Sequence, residues 1–247
     1  MENINELFPI LLFGCVVLAT HFLDGITGFG CTVLAMPFSI MLLGVETARP
    51  VLTFYALLLA LYLAARYRKS ISREHFIKMI IAMLLGLPIG ILAYNYLPKN
   101  ILLTGLSIFI ILVSARGILN AFGFLNKSKP IKDYIALPLV FIGGIIHGAL
   151  SSGGPLVIIY ATEKIKDKSE FRSTLCLIWL TLNTLLIAQM LFNGQIDSRA
   201  VITAEAALPF LVAGALLGDY AHKHIRDTVF TKLTFIVLLL AGIFMMI

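Results

Sequence analysis

Two stretches of this 247-residue chain place ionisable side chains where a helix is poorly able to run on. The first, HFLDGITGFGCTVLAMPF (residues 21–38), sets His21 and Asp24 against Gly25, Gly28 and Gly30. The second, GGIIHGALSSGGPLVIIY (residues 143–160), sets His147 against Gly148, Gly153 and Gly154. Each glycine costs a helix about 1 kcal/mol relative to alanine, so GITGFG and GALSSGG read as interruptions. A broken helix exposes backbone N–H groups at the start of the next one, and those groups and the helix dipole attract an anion. Thr27, Ser151 and Ser152 add hydroxyl donors, and Cys31 stands beside the first break. The chemistry expected of Gly25, Thr27, Gly28, Gly30 and Cys31, and of Gly148, Ser151, Ser152, Gly153 and Gly154, is a small cradle of N–H and O–H donors suited to a compact oxyanion. Pro155 suits the start of a helix, where its missing N–H would be an orphan anyway.

The elements that must position these residues are membrane helices. The chain is 60% hydrophobic and 13% charged, whereas a soluble domain is roughly 45–50% apolar and about 25% charged. The apolar excess runs along the whole length, and stretches such as ILLTGLSIFIILV do not alternate as barrel strands would. The expected fold is therefore an all-α integral membrane protein. Ten apolar segments are expected, at 6–24, 31–44, 48–65, 75–96, 101–122, 132–148, 153–162, 172–193, 200–221 and 228–247. Two are too short to span a bilayer as helix: 31–44 reaches about 21 Å and 153–162 about 15 Å. Both follow the glycine stretches. Short, Gly/Pro-interrupted segments at corresponding places in two halves point to a transporter's binding site.

If every segment changes side, one face of the membrane collects all the Lys and Arg except Arg49, Lys99 and Arg199. The positive-inside rule makes that face cytoplasmic and puts both termini outside. The basic residues lie in short clusters between apolar runs, which argues against nucleic-acid binding despite the net charge of +6. The acidic start, MENINELFPI, lacks the positive region of a signal peptide, so the first helix is expected to be retained. Cys15, Cys31 and Cys176 are too scattered for a disulfide framework or a metal site, and read as buried thiols. No cofactor and no metal are expected.

The two halves repeat. A shift of 123 places Asp24 on His147, Gly25 on Gly148, Gly30 on Gly153 and Arg49 on Arg172. GLPIG (86–90) matches GALLG (214–218) at a shift of 128, although two small-xxx-small packing faces would give the same match. The halves are 1–125 and 126–247, joined by NKSKPIKD, with five segments each. Five is odd, so the second half enters from the opposite face, the inverted-repeat plan of secondary transporters. Ionisable groups at membrane depth are expensive and point to function. Asp24, His147 and His21 could form a proton relay; the alternatives are a structural ion pair or an Asp24 that caps its turn. Arg49 and Arg172 could attract an anion at opposite mouths, or could snorkel. Asn183, Gln189 and Glu205 are weaker polar candidates, and Trp179 reads as packing or lipid contact.

The chain resembles the TauE/SafE family of membrane anion exporters. The resemblance rests on DGITGFGCTVLAMPF, on HGALSSGGPLVIIY followed by KSEFRSTL, on NGQID and on the GALLG helix. Cys31 and Thr32 stand where more glycine is common in the family. The resemblance implies secondary transport of sulfite-like sulfur oxyanions or organosulfonates. The expected protein is a multi-pass inner-membrane transporter working by alternating access with proton coupling, and not an enzyme: no HExxH, paired carboxylates or Ser/His/Asp set is present. The rival reading is a passive anion channel. The partners expected are a small anion and membrane lipid, with a homodimer as a candidate assembly.

Overall fold

The computed structural model describes residues 2–123 and 133–222, with 235–236, 239–240, 242–243 and 246. Residues 126–132, most of the tenth expected segment, and the topology residues Lys127, Lys129, Lys132, Lys223, Arg226 and Lys232 lie outside the described residues. Nine α-helices follow one another among the described residues: α1 (Glu2–Thr27), α2 (Cys31–Leu43), α3 (Val45–Arg66), α4 (Arg73–Tyr96), α5 (Lys99–Ala121), α6 (Asp133–Leu150), α7 (Gly154–Lys164), α8 (Lys168–Phe192) and α9 (Ser198–Ala221). A 3-10 turn, Arg68–Ser70, lies between α3 and α4. Every regular element among the described residues is helical. Phe8–Thr27 of α1 and all of α3, α4, α6, α8 and α9 are long and apolar enough to cross a membrane, as is Lys99–Asn120 of α5. The protein is an all-helical, multi-pass integral membrane protein. Its exposed surface carries side chains such as Leu85, Leu112 and Leu216, as a lipid-facing surface does.

Helix limits follow local chemistry. α8 begins at Lys168, before the expected 172, because Asp167 caps it by accepting from the backbone N–H of Glu170 at 2.8 Å. Asp197 caps α9 in the same way through Ala200, also at 2.8 Å. α1 and α6 stop at residues in left-handed backbone: Gly28 at φ 78° and Ser151 at φ 54°. The end of α1 and the end of α6, the starts of α2 and α7, and the starts of α3 and α8 are each 123 residues apart.

Two compact units form, each drawing on both sequence halves. The first contains Met1–Phe76 and Ile165–Lys223. In it α1 and α9 run parallel, in a register set by small residues. Gly14 lies on Phe210, Gly214 on the Leu18 carbonyl, and Gly218 on Phe22 and Gly25. A Cβ on Gly25 would come within 2.9 Å of the Gly218 Cα, so both positions need glycine for this approach. α3 and α8 run antiparallel. Ser72, just past α3, donates its N–H to Thr174 Oγ1 near the start of α8, at 2.9 Å. At the other end Arg49 reaches Gln195, just past α8, at 3.3 Å. Tyr55 of α3 bonds the Ala204 carbonyl of α9, while Tyr62 and Tyr67 meet Asp219 at the end of α9. α3 thus runs parallel to α9 and α1. The chain leaves α1 at the Asp219 level and must enter α3 at the opposite end, so α2 carries it back.

The second unit contains Ile77–Lys164 and His224–Ile247. Here Gly86 and Gly90 of α4 pack on Phe141, Ile145 and Ala149 of α6, while Gly144 and Gly148 of α6 pack on Met83 and Leu87. GLPIG and GALLG are both close-packing faces. α7 folds back on α6: Gly153 abuts Gly143 and His147, and a Cβ on Gly143 would lie 3.3 Å from Leu156 Cβ. Lys164 at the end of α7 pairs with Asp133 at the start of α6 at 2.5 Å, and Lys78 of α4 joins them at 3.6 Å. α7 therefore also returns the chain along the whole of α6.

Candidate functional site

The first break is clamped on several sides within the first unit. The Gly28 N–H donates to the Asp24 carbonyl at 2.6 Å and closes α1. The Thr27 hydroxyl is turned inward to the carbonyls of Leu23 and Phe29, each at 2.9 Å. Trp179 of α8 donates its indole N–H to the Gly28 carbonyl at 3.1 Å. Phe171 of α8 meets Phe29 edge-on at 6.3 Å. The Ile26 carbonyl is 2.6 Å from Nδ1 of His222, just past α9. Burial holds that imidazole below its ordinary range, with the Arg172 charge acting in the same direction.

Arg172 fills the space beside the break. A Cβ on Gly28 would lie 2.7 Å from its Cγ, so this arginine requires glycine at position 28 twice over, for the left-handed φ and for the contact. The side chain is 2% exposed. Its Nη2 donates to Asp219 Oδ1 at 2.7 Å, and its plane lies over the Tyr67 ring, 4.8 Å from the centroid. Nε and Nη1 are buried with no hydrogen-bond partner among the described residues. Asp219 is the hub of the cluster. It also accepts from the hydroxyls of Tyr67 (2.8 Å) and Tyr62 (3.0 Å), and Arg66 Nε lies 3.3 Å from Oδ2. The chain of polar contacts runs from half-exposed Arg66 to the buried edge of Arg172.

Asp24 completes this end. It is buried in the last turn of α1, and its backbone carbonyl accepts the Gly28 N–H. His21, just under a turn earlier, hydrogen-bonds through Nδ1 to the Val17 carbonyl at 2.9 Å and packs edge-on against Tyr55 at 5.9 Å. Its Nε2 is buried without a partner among the described residues.

The structure thus brings together Asp24, Gly25, Thr27, Gly28, Cys31 and Arg172. Arg49 is set apart from them. It is the fifth residue of α3 as Arg172 is of α8, and because the two helices are antiparallel the two guanidiniums lie at opposite ends of the pair, about 25 Å apart along α3. The second break lies in the second unit. There the Ser151 N–H donates to the His147 carbonyl at 2.7 Å, the counterpart of the Gly28–Asp24 bond, and the Ser152 hydroxyl is spent on the Leu150 carbonyl at 2.9 Å. Asp219, Tyr62 and Tyr67 were not among the residues singled out from sequence. The one available signal was an aspartate in the last turn of an apolar helix, in LLGDY.

Residues 12–245 match the family described as Sulfite exporter TauE/SafE. The chain belongs to the TauE/SafE family. It is 24% identical over 101 residues to a probable inner membrane transporter protein TsaS of Comamonas testosteroni, covering 40% of this chain and 42% of that protein. It is also 24% identical over 143 residues to a probable sulfite/organosulfonate exporter TauE of Cupriavidus necator, covering 56% of this chain and 54% of that one. The chain therefore spans about half the length, or less, of the curated relatives it matches. No solved structure matches it.

Proposed function

We propose that this protein is a secondary transporter moving a small sulfur oxyanion or organosulfonate across the inner membrane by alternating access. The observation that carries the reading is the buried guanidinium of Arg172, which keeps Nε and Nη1 unpartnered beside a helix break. A guanidinium offers a planar fork that matches an oxyanion, and one removed from water binds it far more strongly than an exposed one. The helix limits repeating at 123 residues support an inverted repeat. Asp24, with His147 and His21, would carry the coupling proton. The names of the two relatives support the inner membrane and the sulfur anion.

Purified protein in proteoliposomes, offered sulfite, sulfate, thiosulfate and methanesulfonate under an imposed pH gradient, tests this directly. Saturable sulfite or sulfonate flux driven by the gradient is expected. Saturable flux of an organic cation with no anion flux overturns the reading, and non-saturating anion current without coupling turns it into a channel. Proton-driven flux left unchanged by Asp24→Asn removes Asp24 from the coupling.

A further inference from the structure

Arg172 and Asp219 hold each other unequally. Among the described residues Asp219 is the one hydrogen-bond partner of the Arg172 guanidinium, through Nη2 alone, at 2.7 Å. Asp219 has three other partners. Its Oδ1 also accepts from the Tyr67 hydroxyl at 2.8 Å, and its Oδ2 accepts from the Tyr62 hydroxyl at 3.0 Å and lies 3.3 Å from Arg66 Nε. The carboxylate thus turns one oxygen to a buried arginine and the other to an arginine that is 51% exposed. Arg66 is itself held in place. Its Nη1 donates to the Tyr62 hydroxyl at 3.3 Å, and its guanidinium lies 5.9 Å and 5.8 Å from the ring centroids of Tyr62 and Tyr67. If the bond to Arg172 opens, Asp219 keeps three partners, one of them charged. Arg172 keeps none among the described residues.

The shape of a guanidinium makes that inequality matter. Its five N–H donors lie in one plane. They form two bidentate forks, Nε with Nη2 and Nη1 with Nη2, so Nη2 belongs to both. An oxyanion that lays two oxygens on Arg172 must use the nitrogen that Asp219 holds. Nε and Nη1, buried and unpartnered among the described residues, are the other halves of the two forks. With Asp219 still in place, the two negative charges would stand a few ångströms apart in a buried site, where like charges repel strongly. One movement relieves both constraints: Asp219 releases Nη2 and leans on Arg66.

We propose that Asp219 is the exchangeable internal anion of the site, and that a sulfonate- or sulfite-class anion takes a fork of Arg172 by displacing the Asp219 carboxylate toward Arg66, which receives it. This rests on the transport reading above and names the residues that exchange with the substrate. The empty site keeps Arg172 paired with Asp219. The loaded site pairs Arg172 with substrate and Asp219 with Arg66. The movement is small, because Oδ2 already lies beside Arg66 and only the Oδ1–Nη2 contact has to open. Asp219 competes with substrate for Arg172, and Arg66 acts on substrate through Asp219 instead of by touching it.

The test is a double-mutant cycle read by calorimetric titration of methanesulfonate into the purified full-length protein. Asp219→Asn keeps an oxygen for the tyrosines and removes the competing charge. It is expected to bind methanesulfonate at least about tenfold more tightly than wild type, a factor of ten in Kd being about 1.4 kcal/mol. Arg66→Gln leaves Asp219 without its receiver, so binding is expected to weaken by about tenfold in the wild-type background. In the Asp219→Asn background the same change is expected to alter Kd by less than about twofold, because nothing is left to receive. Equal or weaker binding by a folded Asp219→Asn protein overturns the proposal, since a carboxylate that only positions Arg172 gives that result. An Arg66→Gln loss that is absent, or that is the same with and without Asp219, overturns it as well. Should Asp219→Asn fail to fold, infrared difference spectra of wild-type protein carrying 13C-labelled aspartate decide the matter. Methanesulfonate is expected to shift an aspartate carboxylate band, and Arg66→Gln to change that shift. A spectrum unshifted at saturating ligand, or a shift indifferent to Arg66→Gln, sinks the idea. Anion flux in proteoliposomes with no gain in Asp219→Asn binding rejects this inference alone, whereas absence of anion flux rejects the transport reading beneath it.

Discussion

The Arg172–Asp219 pair is where single side chains decide most. A buried ion pair is only a modest source of stability, but removing one partner leaves a charge stranded at a cost of about 3–5 kcal/mol. Asp219→Ala is therefore expected to lower the thermal midpoint of the purified protein clearly, even though Tyr62 and Tyr67 remain. Arg172→Lys keeps the charge and loses the fork, so it should fold and still lose flux, by about tenfold or more given the geometric role of a guanidinium. Flux at wild-type level in Arg172→Lys would mean that Arg172 only anchors Asp219. Arg172 was legible in the sequence because it recurs with Arg49 at a shift of 123. Asp219 was not, because nothing repeats it and its importance comes from four donors converging from α3, the turn after it and α8. Thr27 shows the opposite failure. Its hydroxyl was a fair candidate donor by type, but it lies within reach of two nearby carbonyls and is used there.

At the scale of elements, glycine punctuation was readable and helix partnership was not. The ends of α1 and α6 follow from runs of small residues that cannot sustain a helix, and the short lengths of α2 and α7 follow from the next breaks. That both short helices return the chain, instead of turning back halfway, came from contacts remote in sequence: Lys164 with Asp133 in one unit, and the placing of Tyr62, Tyr67 and Arg49 along α3 in the other. The two breaks can be separated from ordinary left-handed glycines by substitution. Gly28 and Gly123 share nearly the same φ, 78° and 80°, but a Cβ on Gly28 would strike Arg172, and one on Gly123 would meet nothing within 4 Å among the described residues. Gly123→Ala should cost only backbone strain, about 1 kcal/mol, with transport intact. Gly28→Ala should cost more and abolish flux by pushing Arg172 off its place. Matched losses of flux in the two variants would show that the Gly28–Arg172 contact is incidental.

For the whole molecule, the distribution of charge and the directions of the helices bear on the same question from independent sides. The positive-inside argument used only loop composition: Arg66, Arg68, Lys69 and Arg73 belong to one face and Arg199 to the other. The structure adds that α3 and α8 are antiparallel, so the Arg66 end of α3 and the Gln195 end of α8 mark opposite ends of one packed pair. Neither observation alone fixes sidedness, but together they make a two-point test. Lys69 and Asn193 are exposed, one in the turn after α3 and the other just past α8. In a background where Cys15, Cys31 and Cys176 are replaced by serine or alanine, Lys69→Cys should react with a membrane-impermeant maleimide only after the cells are opened. Asn193→Cys should react in intact cells. The reverse pattern would invert the whole chain and put the Arg172 cluster at the outer mouth, while labelling of both sites from one side would contradict the antiparallel pair itself.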